Sequence, residues 1–449
     1  MTTLVFADMV RSARIWFGAF IVVAVAAFAA TVPAALTETG LRDATLAGYA
    51  LVAIAATITL LTVIATVVVV GSVMRLTVAL RRRSYALWQT VGVMPSRVRG
   101  VVVTQLLVVA AAGAALGAAV GAFVTPAATE SALDGSNGVD TFDVTISPIV
   151  AAGTAVAVAV VALLAGDSAA RRAARTSPLE VLRESPVVRG ARVWPRWAIA
   201  VVLLAVVAQM LSGLAASAAA GGGAAAILIG PLLVAATAAL GPVVFPRVMR
   251  LWTAIVPASA SASWFVARAN TLYAVDRSSS IVASLLVAVA LPGTFAAGEG
   301  TLARALAILQ GGEAVQNPGG TTLLVLGGPV LLAAAGAAAA TVMSSGARAR
   351  EGALLSAAGA PPGFGLATAL WEGAIQVVTA GLIAAVVIAV TATAQAWILS
   401  TVAPGATPDF SPVTFGSTFA VTTAGLLLAT LVPTLATKKQ EVPQALGDE

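Results

Sequence analysis

The chain of 449 residues contains no cysteine and no histidine. Their absence removes disulfides, thiol nucleophiles, imidazole bases and the usual zinc ligand sets. Lysine is confined to Lys438 and Lys439, and neither follows a Gly-rich phosphate-binding pattern, so there is no P-loop. If ATP drives this protein, the ATPase is another chain. No nucleophile, base and orienting group can be assembled from the residues that remain. The chain is therefore expected not to be an enzyme and to bind no cofactor or metal itself. Charge is scarce as well: 10% of residues are charged, against about 25% in soluble domains.

What is present is apolar. Hydrophobic residues make up 59% of the chain and the mean hydropathy is +0.99. A soluble fold could not bury that much apolar surface, so lipid is the expected solvent. The bias to Ala, Val, Gly and Arg hints at a GC-rich bacterial genome. Ten runs are long enough to span a bilayer: Ile15–Leu36, Ala47–Val73, Val101–Val124, Ile146–Ala165, Trp197–Leu214, Ala224–Phe245, Ser280–Phe295, Thr321–Met343, Ala367–Val390 and Phe415–Leu435. The fifth and sixth, joined by Gly221-Gly222-Gly223, read either as a tight hairpin or as two shallow helices. The first run is too long for a signal sequence, so it is expected to stay as a helix. With both termini placed in the cytoplasm, only Arg42 and Arg304 fall on the outer side, as the positive-inside rule requires. The outer loops are short, with 296–320 the one between the seventh and eighth spans. Their acidic residues could attract cationic peptides, or simply keep the loops solvated.

Two segments repeat at one constant offset. The first runs from Arg81 through Gly92 and Pro95 to Gln105, the second from Arg348 through Gly359 and Pro362 to Glu372. The offset pairs Arg83 with Arg350, Ala86 with Ala353 and Leu87 with Leu354. Each copy lies between two apolar runs, which predicts two related halves. Glycine and proline punctuate each copy, so each reads as a helix–elbow–helix leaving the membrane. In the first copy the second span is expected to run on without a break to Leu87. Elbows at matched positions could seat in two equivalent pockets of a dimeric partner. The candidate docking residues are Leu87, Trp88, Gln89, Gly92, Val93 and Pro95 in the first copy, and Leu354, Leu355, Gly359, Ala360 and Pro362 in the second.

The run Arg81-Arg-Arg-Ser-Tyr-Ala-Leu-Trp-Gln-Thr-Val-Gly-Val93 resembles the signature of FtsX/MacB-like ABC transporter permeases. The second copy keeps Arg350, Glu351, Ala353, Leu354, Leu355, Gly359, Ala360 and Glu372. The stretch Ala170–Arg183 resembles the tail that closes the family's four-helix unit, with a degenerate echo at Lys438–Leu446. The resemblance implies an all-α integral membrane protein of about ten transmembrane helices, arranged as two four-helix FtsX-like repeats joined by a two-helix connector. The first repeat would cover residues 1–185, the connector 186–260 and the second repeat 261–449. It further implies a bacterial cytoplasmic-membrane permease docked on two copies of an ABC ATPase, where ATP and Mg are bound. The substrate would be amphipathic, a peptide or lipid-like molecule that is moved or extracted. The ten-span form resembles antimicrobial-peptide-type permeases but lacks their large outer domain. The alternative is a mechanotransmitting permease that regulates a cell-wall hydrolase or sensor kinase without transport. An outer protein or sensor kinase is then a further partner; no nucleic-acid partner is expected.

Three other features stand out. Gly113, Gly117 and Gly121 in the third span form a face on which a neighbouring helix can approach closely, or pivot. Gln105 and Glu372 are polar residues inside apolar runs, and Glu372 is expected to pair with Arg268 or Arg277. Leu4–Arg14 and Phe265–Arg277 read as interfacial helices preceding the first span of each half.

Overall fold

A computed structural model describes residues 8–9, 12–43, 45–133, 143–174, 194–223, 225–311, 319–361 and 363–437. Among them the regular structure is entirely helical. The first half contains α1 (Ala13–Asp43), α2 (Leu46–Leu80), α3 (Arg82–Thr90), α4 (Pro95–Leu133) and α5 (Pro148–Ala174). The connector follows as α6 (Trp194–Ala219), α7 (Ala226–Ala239) and α8 (Gly241–Thr253). The second half contains α9 (Ala262–Tyr273), α10 (Val275–Gln310), α11 (Gly319–Met343), α12 (Ser345–Ala357), α13 (Phe364–Leu399) and α14 (Pro412–Thr437). Eight of these helices are long and apolar enough to cross a membrane. The bent pair α7–α8 makes a ninth if it is counted as one span, and Pro412–Leu427 of α14 is a shorter apolar stretch. This is a multi-pass membrane protein.

The same helix pairs pack in both halves. In the first, α1 packs on α2, α4 and α5; in the second, α10 packs on α11, α13 and α14. Between the halves, α1 lies on α11 and α2 on α10, the crossed pairing that an approximate two-fold relation produces. The centre of the bundle is α10. Its residues from Ile281 to Leu291 are buried without exception, whereas α6 presents Ile199, Val201, Val202 and Leu204 outward. That contrast is expected where lipid, not water, covers the rim.

Three sequence expectations need correction. The sixth apolar run is not one helix: it breaks at Leu240, and α8 turns away from α7 by 83°. Proline at the first turn of α8 has no N–H to continue the α7 ladder, and its ring clashes with the preceding turn. At 14 residues, α7 is about 21 Å long, short of a roughly 30 Å hydrocarbon core. α8 is held sideways by aromatic contacts: Trp252 lies 6.1 Å from Trp264, which lies 5.2 Å from Trp371 of α13. The Trp252 Nε1–H also donates to Thr379 Oγ1 at 2.9 Å. Second, the loop expected at 296–320 is mostly helix, since α10 continues to Gln310 and ends on Gly311 at φ 64°. Third, α2 does not run on to Leu87. It stops at Leu80, and Arg81 separates it from α3.

Candidate functional site: two matched elbows and the clusters behind them

α3 and α12 end in the same way. Gly92 has φ 94° and Gly359 has φ 91°, a left-handed conformation that a Cβ disfavours. Around Gly92, the Val93 N–H donates to Trp88 O at 3.1 Å and the Gly92 N–H to Gln89 O at 3.1 Å. Around Gly359, the Ala360 N–H donates to Leu355 O and the Gly359 N–H to Ser356 O, both at 3.0 Å. These backbone donors and acceptors in one elbow have their counterparts in the other at the constant offset. Both are Schellman closures, in which the last carbonyls of the helix are satisfied and the chain reverses. Pro95 then opens α4. Pro362 lies outside the described residues, and α13 opens two positions later in the register, after Gly363 at φ 92°.

The side chains follow the same register. Ala86 and Ala353 are buried, and Leu87 and Leu354 are exposed. Trp88 and Leu355 are half-buried, as are Val93 and Ala360. Val91 and Met94 add apolar surface to the first elbow. Gln89 is half-buried.

Both elbows lie at the end of the bundle where α1 begins. Asp8, just before α1, forms an ion pair with Arg81 at the base of the first elbow. Arg14 NH1 reaches Ser345 Oγ of the second at 3.5 Å. At 35 residues, α2 is about 52 Å long, well over the roughly 30 Å of a hydrocarbon core. An excess of that size leaves α2 extending past the core at one end or both.

Behind each elbow is a buried polar cluster. In the first half, Gln105 on α4 is fully buried and its Nε2–H donates to Asp8 Oδ2 at 2.8 Å. The Tyr85 hydroxyl donates to Gln105 Oε1 at 3.4 Å. Burial pushes the Tyr85 phenol up to about 12, so it stays a neutral donor. The Arg81 guanidinium sits 5.7 Å from the centre of the Tyr85 ring. In the second half, Glu372 on α13 accepts from Asn270 Nδ2 at 3.1 Å and pairs with Arg277 NH2 at 3.5 Å. Of the two arginines proposed from sequence, Arg277 is the one in contact. Arg277 also reaches Glu351 of α12 at 3.4 Å, and Asn270 donates to the same carboxylate at 3.4 Å. Each cluster thus joins an elbow helix, the long helix after it and the short segment before the first span of its half. Sequence reasoning did not single out Asp8, Tyr85, Asn270 or Glu351 as members of a site.

The three glycines of α4 face α1. A Cβ on Gly117 would sit 1.9 Å from Ala24 O, one on Gly113 2.9 Å from Phe20 O, and one on Gly121 2.3 Å from Thr31 Oγ1. At Gly113 and Gly117 backbone meets backbone, so α1 and α4 approach closely along this face. Among the described residues no group of acidic side chains is placed to hold a metal ion. The 170–183 tail is described only as far as Ala174, and the Lys438–Leu446 echo lies outside the described residues. Upstream of that tail, Asp167 binds Arg99 at 2.9 Å and also Arg171, fastening the end of α5 to the start of α4.

Residues 56–178 match the model of the FtsX-like permease C-terminal family. The matched span starts within α2, crosses the first elbow and ends just past α5. No curated protein and no solved structure gives a significant match.

Proposed function

We propose, on the match of residues 56–178 to the FtsX-like permease family, that the chain is a permease subunit of the ABC-transporter type that couples ATP hydrolysis by a separate ATPase to movement or extraction of an amphipathic substrate at the bacterial cytoplasmic membrane. Two ATPase copies, carrying ATP and Mg, would dock on the two elbows, with both termini of the permease on the same cytoplasmic side. The observation that carries this reading is the matched pair Leu87 and Leu354, exposed at equivalent positions on two elbows. Exposed leucine at one elbow could be incidental. The same leucine at the same register beside two identical chain reversals fits one pocket presented twice.

The clusters give the elbows a mechanical link. A displaced α3 drags Arg81 and Tyr85, and through Asp8 and Gln105 the start of α1 and the body of α4. A displaced α12 drags Glu351, and through Arg277 and Asn270 the base of α10 and of α13. Closing the ATPase pair would so be felt by the two helix pairs α1–α4 and α10–α13.

The test is co-purification of the tagged chain from its native membrane in mild detergent. The expected result is an ATPase near two copies per permease. Leu87→Glu with Leu354→Glu changes exposed side chains only, and should release the ATPase while leaving the permease monodisperse. A monodisperse wild-type permease with no ATPase would overturn the reading. Stimulated release of a fluorescent amphiphile from liposomes, with ATPase present, then separates transport from a purely regulatory role.

A further inference from the structure

A cavity of about 640 Å³ opens between α1, α2 and α5, a volume within the roughly 300–1,000 Å³ of small-molecule sites. It lies toward the end of the bundle opposite the elbows. Its lining along α1 runs from Ala30 to Arg42, about 18 Å at the helical rise. That is more than half of a roughly 30 Å hydrocarbon core, the depth of one leaflet. Val63, Val67, Val158 and Val161 make the walls apolar.

The polar groups are few and unevenly engaged. Glu38, at the mouth, accepts from Arg42 with one oxygen and from the Ser147 N–H at 2.8 Å with the other. Its two oxygens are both occupied. Arg42 has five N–H donors, contacts Glu38 through NH2, and leaves its side chain 59% exposed. Arg42 is the one cationic side chain in the lining, and it is the group that offers charged N–H donors at the mouth. Deeper in, the hydroxyls of Thr37, Thr59 and Thr154 donate to carbonyls of their own helices. The buried Thr62 hydroxyl has no protein partner. A wall this apolar offers a water too few partners to hold it.

We infer that this cavity is a binding site for a phosphate-headed bilayer lipid, its phosphate on Arg42 and one acyl chain in the apolar depth. Arginine matches phosphate oxygens with several parallel N–H donors. An uncharged lipid would leave those donors unused, and a free phosphate would leave the apolar depth empty. The site stands whether or not lipid is also the transported molecule.

The test uses the full chain in phosphatidylcholine nanodiscs doped with a diazirine-tailed phosphatidylglycerol or, in parallel, a diazirine-tailed diacylglycerol. Adducts are mapped by mass spectrometry, and α6, which presents Ile199, Val201, Val202 and Leu204 outward, is the internal reference. Phosphatidylglycerol adducts should be enriched several-fold on residues 59–67 and 150–161 relative to α6, and diacylglycerol adducts should not be. Arg42→Gln should bring the first probe down to the level of the second. Ala157→Trp, which fills the cavity, should abolish the enrichment while labelling of α6 persists and reports a chain still seated in the bilayer. Equal labelling of the cavity and α6 in the wild type would overturn the site. Equal enrichment by both probes, or enrichment untouched by Arg42→Gln, would overturn the phosphate headgroup.

Discussion

The two halves of the molecule share a backbone device and exchange its chemistry. The elbows agree in glycine conformation, hydrogen bonds and burial. The clusters behind them agree only as pairs. In the first half the acid is Asp8, on the segment before α1, and the amide is Gln105 on α4. In the second the amide is Asn270, before α10, and the acid is Glu372 on α13. Helix packing shows the same exchange. Gly121 of α4 makes room for Thr31 of α1, whereas its counterpart Ile388 of α13 is accommodated by Gly293 of α10, whose Cβ would lie 2.4 Å from Ile388 Cδ1. One displacement along the chain carries Asp8 onto Asn270 and Thr31 onto Gly293. What each site requires is therefore a property of the pair: one carboxylate with one amide, one small residue with one large. Either member can supply either part, so single-position similarity fades while the contact persists.

The sharpest way to break the comparison is at the closest helix contact. Gly117→Ala puts a methyl 1.9 Å from a backbone oxygen that cannot rotate away, and it should cost at least the upper end of roughly 1–3 kcal/mol. The matched residue in the second half is already alanine, Ala384, and is buried. Ala384→Gly should cost only about 1 kcal/mol, the ordinary helix penalty. Thermal unfolding of the two variants in detergent, followed by loss of the monodisperse peak, measures the difference. Equal midpoints would mean that α1 and α4 are not in the contact described.

Exchanging the pair chemistry comes next in size. Gln105→Glu places a second carboxylate against Asp8, whose ion pair with Arg81 is already made. A loss of about 2 kcal/mol is expected from an added buried charge without its own partner. Adding Asp8→Asn recreates the order of the second half and should recover at least half of the loss. A double-mutant cycle on the same unfolding signal reads the coupling. Additive losses would show that the two positions do not form one unit.

Much of this architecture was legible in the sequence. The ten apolar runs, both elbows and the close face at Gly113, Gly117 and Gly121 follow from hydropathy, punctuation and spacing. The break at Gly241-Pro242 carried its own signal, a Gly-Pro step. It was hidden because Val243, Val244 and Phe245 continue the apolar run past the point where the backbone turns. The length of α10 was underestimated for the opposite reason: Thr301–Gln310 keeps a helical pattern but is less apolar, and hydropathy finds where lipid ends, not where the helix ends. The clusters were not legible, because their members are far apart in the chain. Asp8 meets Arg81 and Gln105 across 73 and 97 residues, and no spacing rule reaches that far. The exchange of acid and amide concealed them further, since an alignment of the halves sets unlike residues side by side.

The smallest effect tests what the halves hold in common. Gly92→Ala and Gly359→Ala meet no atom within 4 Å of the new methyl, so neither substitution creates a clash. The cost is the left-handed backbone alone, about 1 kcal/mol at each site. Because φ differs by only 3° between the two glycines (94° and 91°), the two losses should be equal. They should also add in the double variant, as independent sites do. Asparagine, which tolerates the left-handed region better than alanine, should lower both losses together. A cost at Gly92 with none at Gly359 would mean that the second elbow relaxes around its neighbour Gly363, also left-handed, and that the two docking surfaces are alike in register but unequal in stiffness.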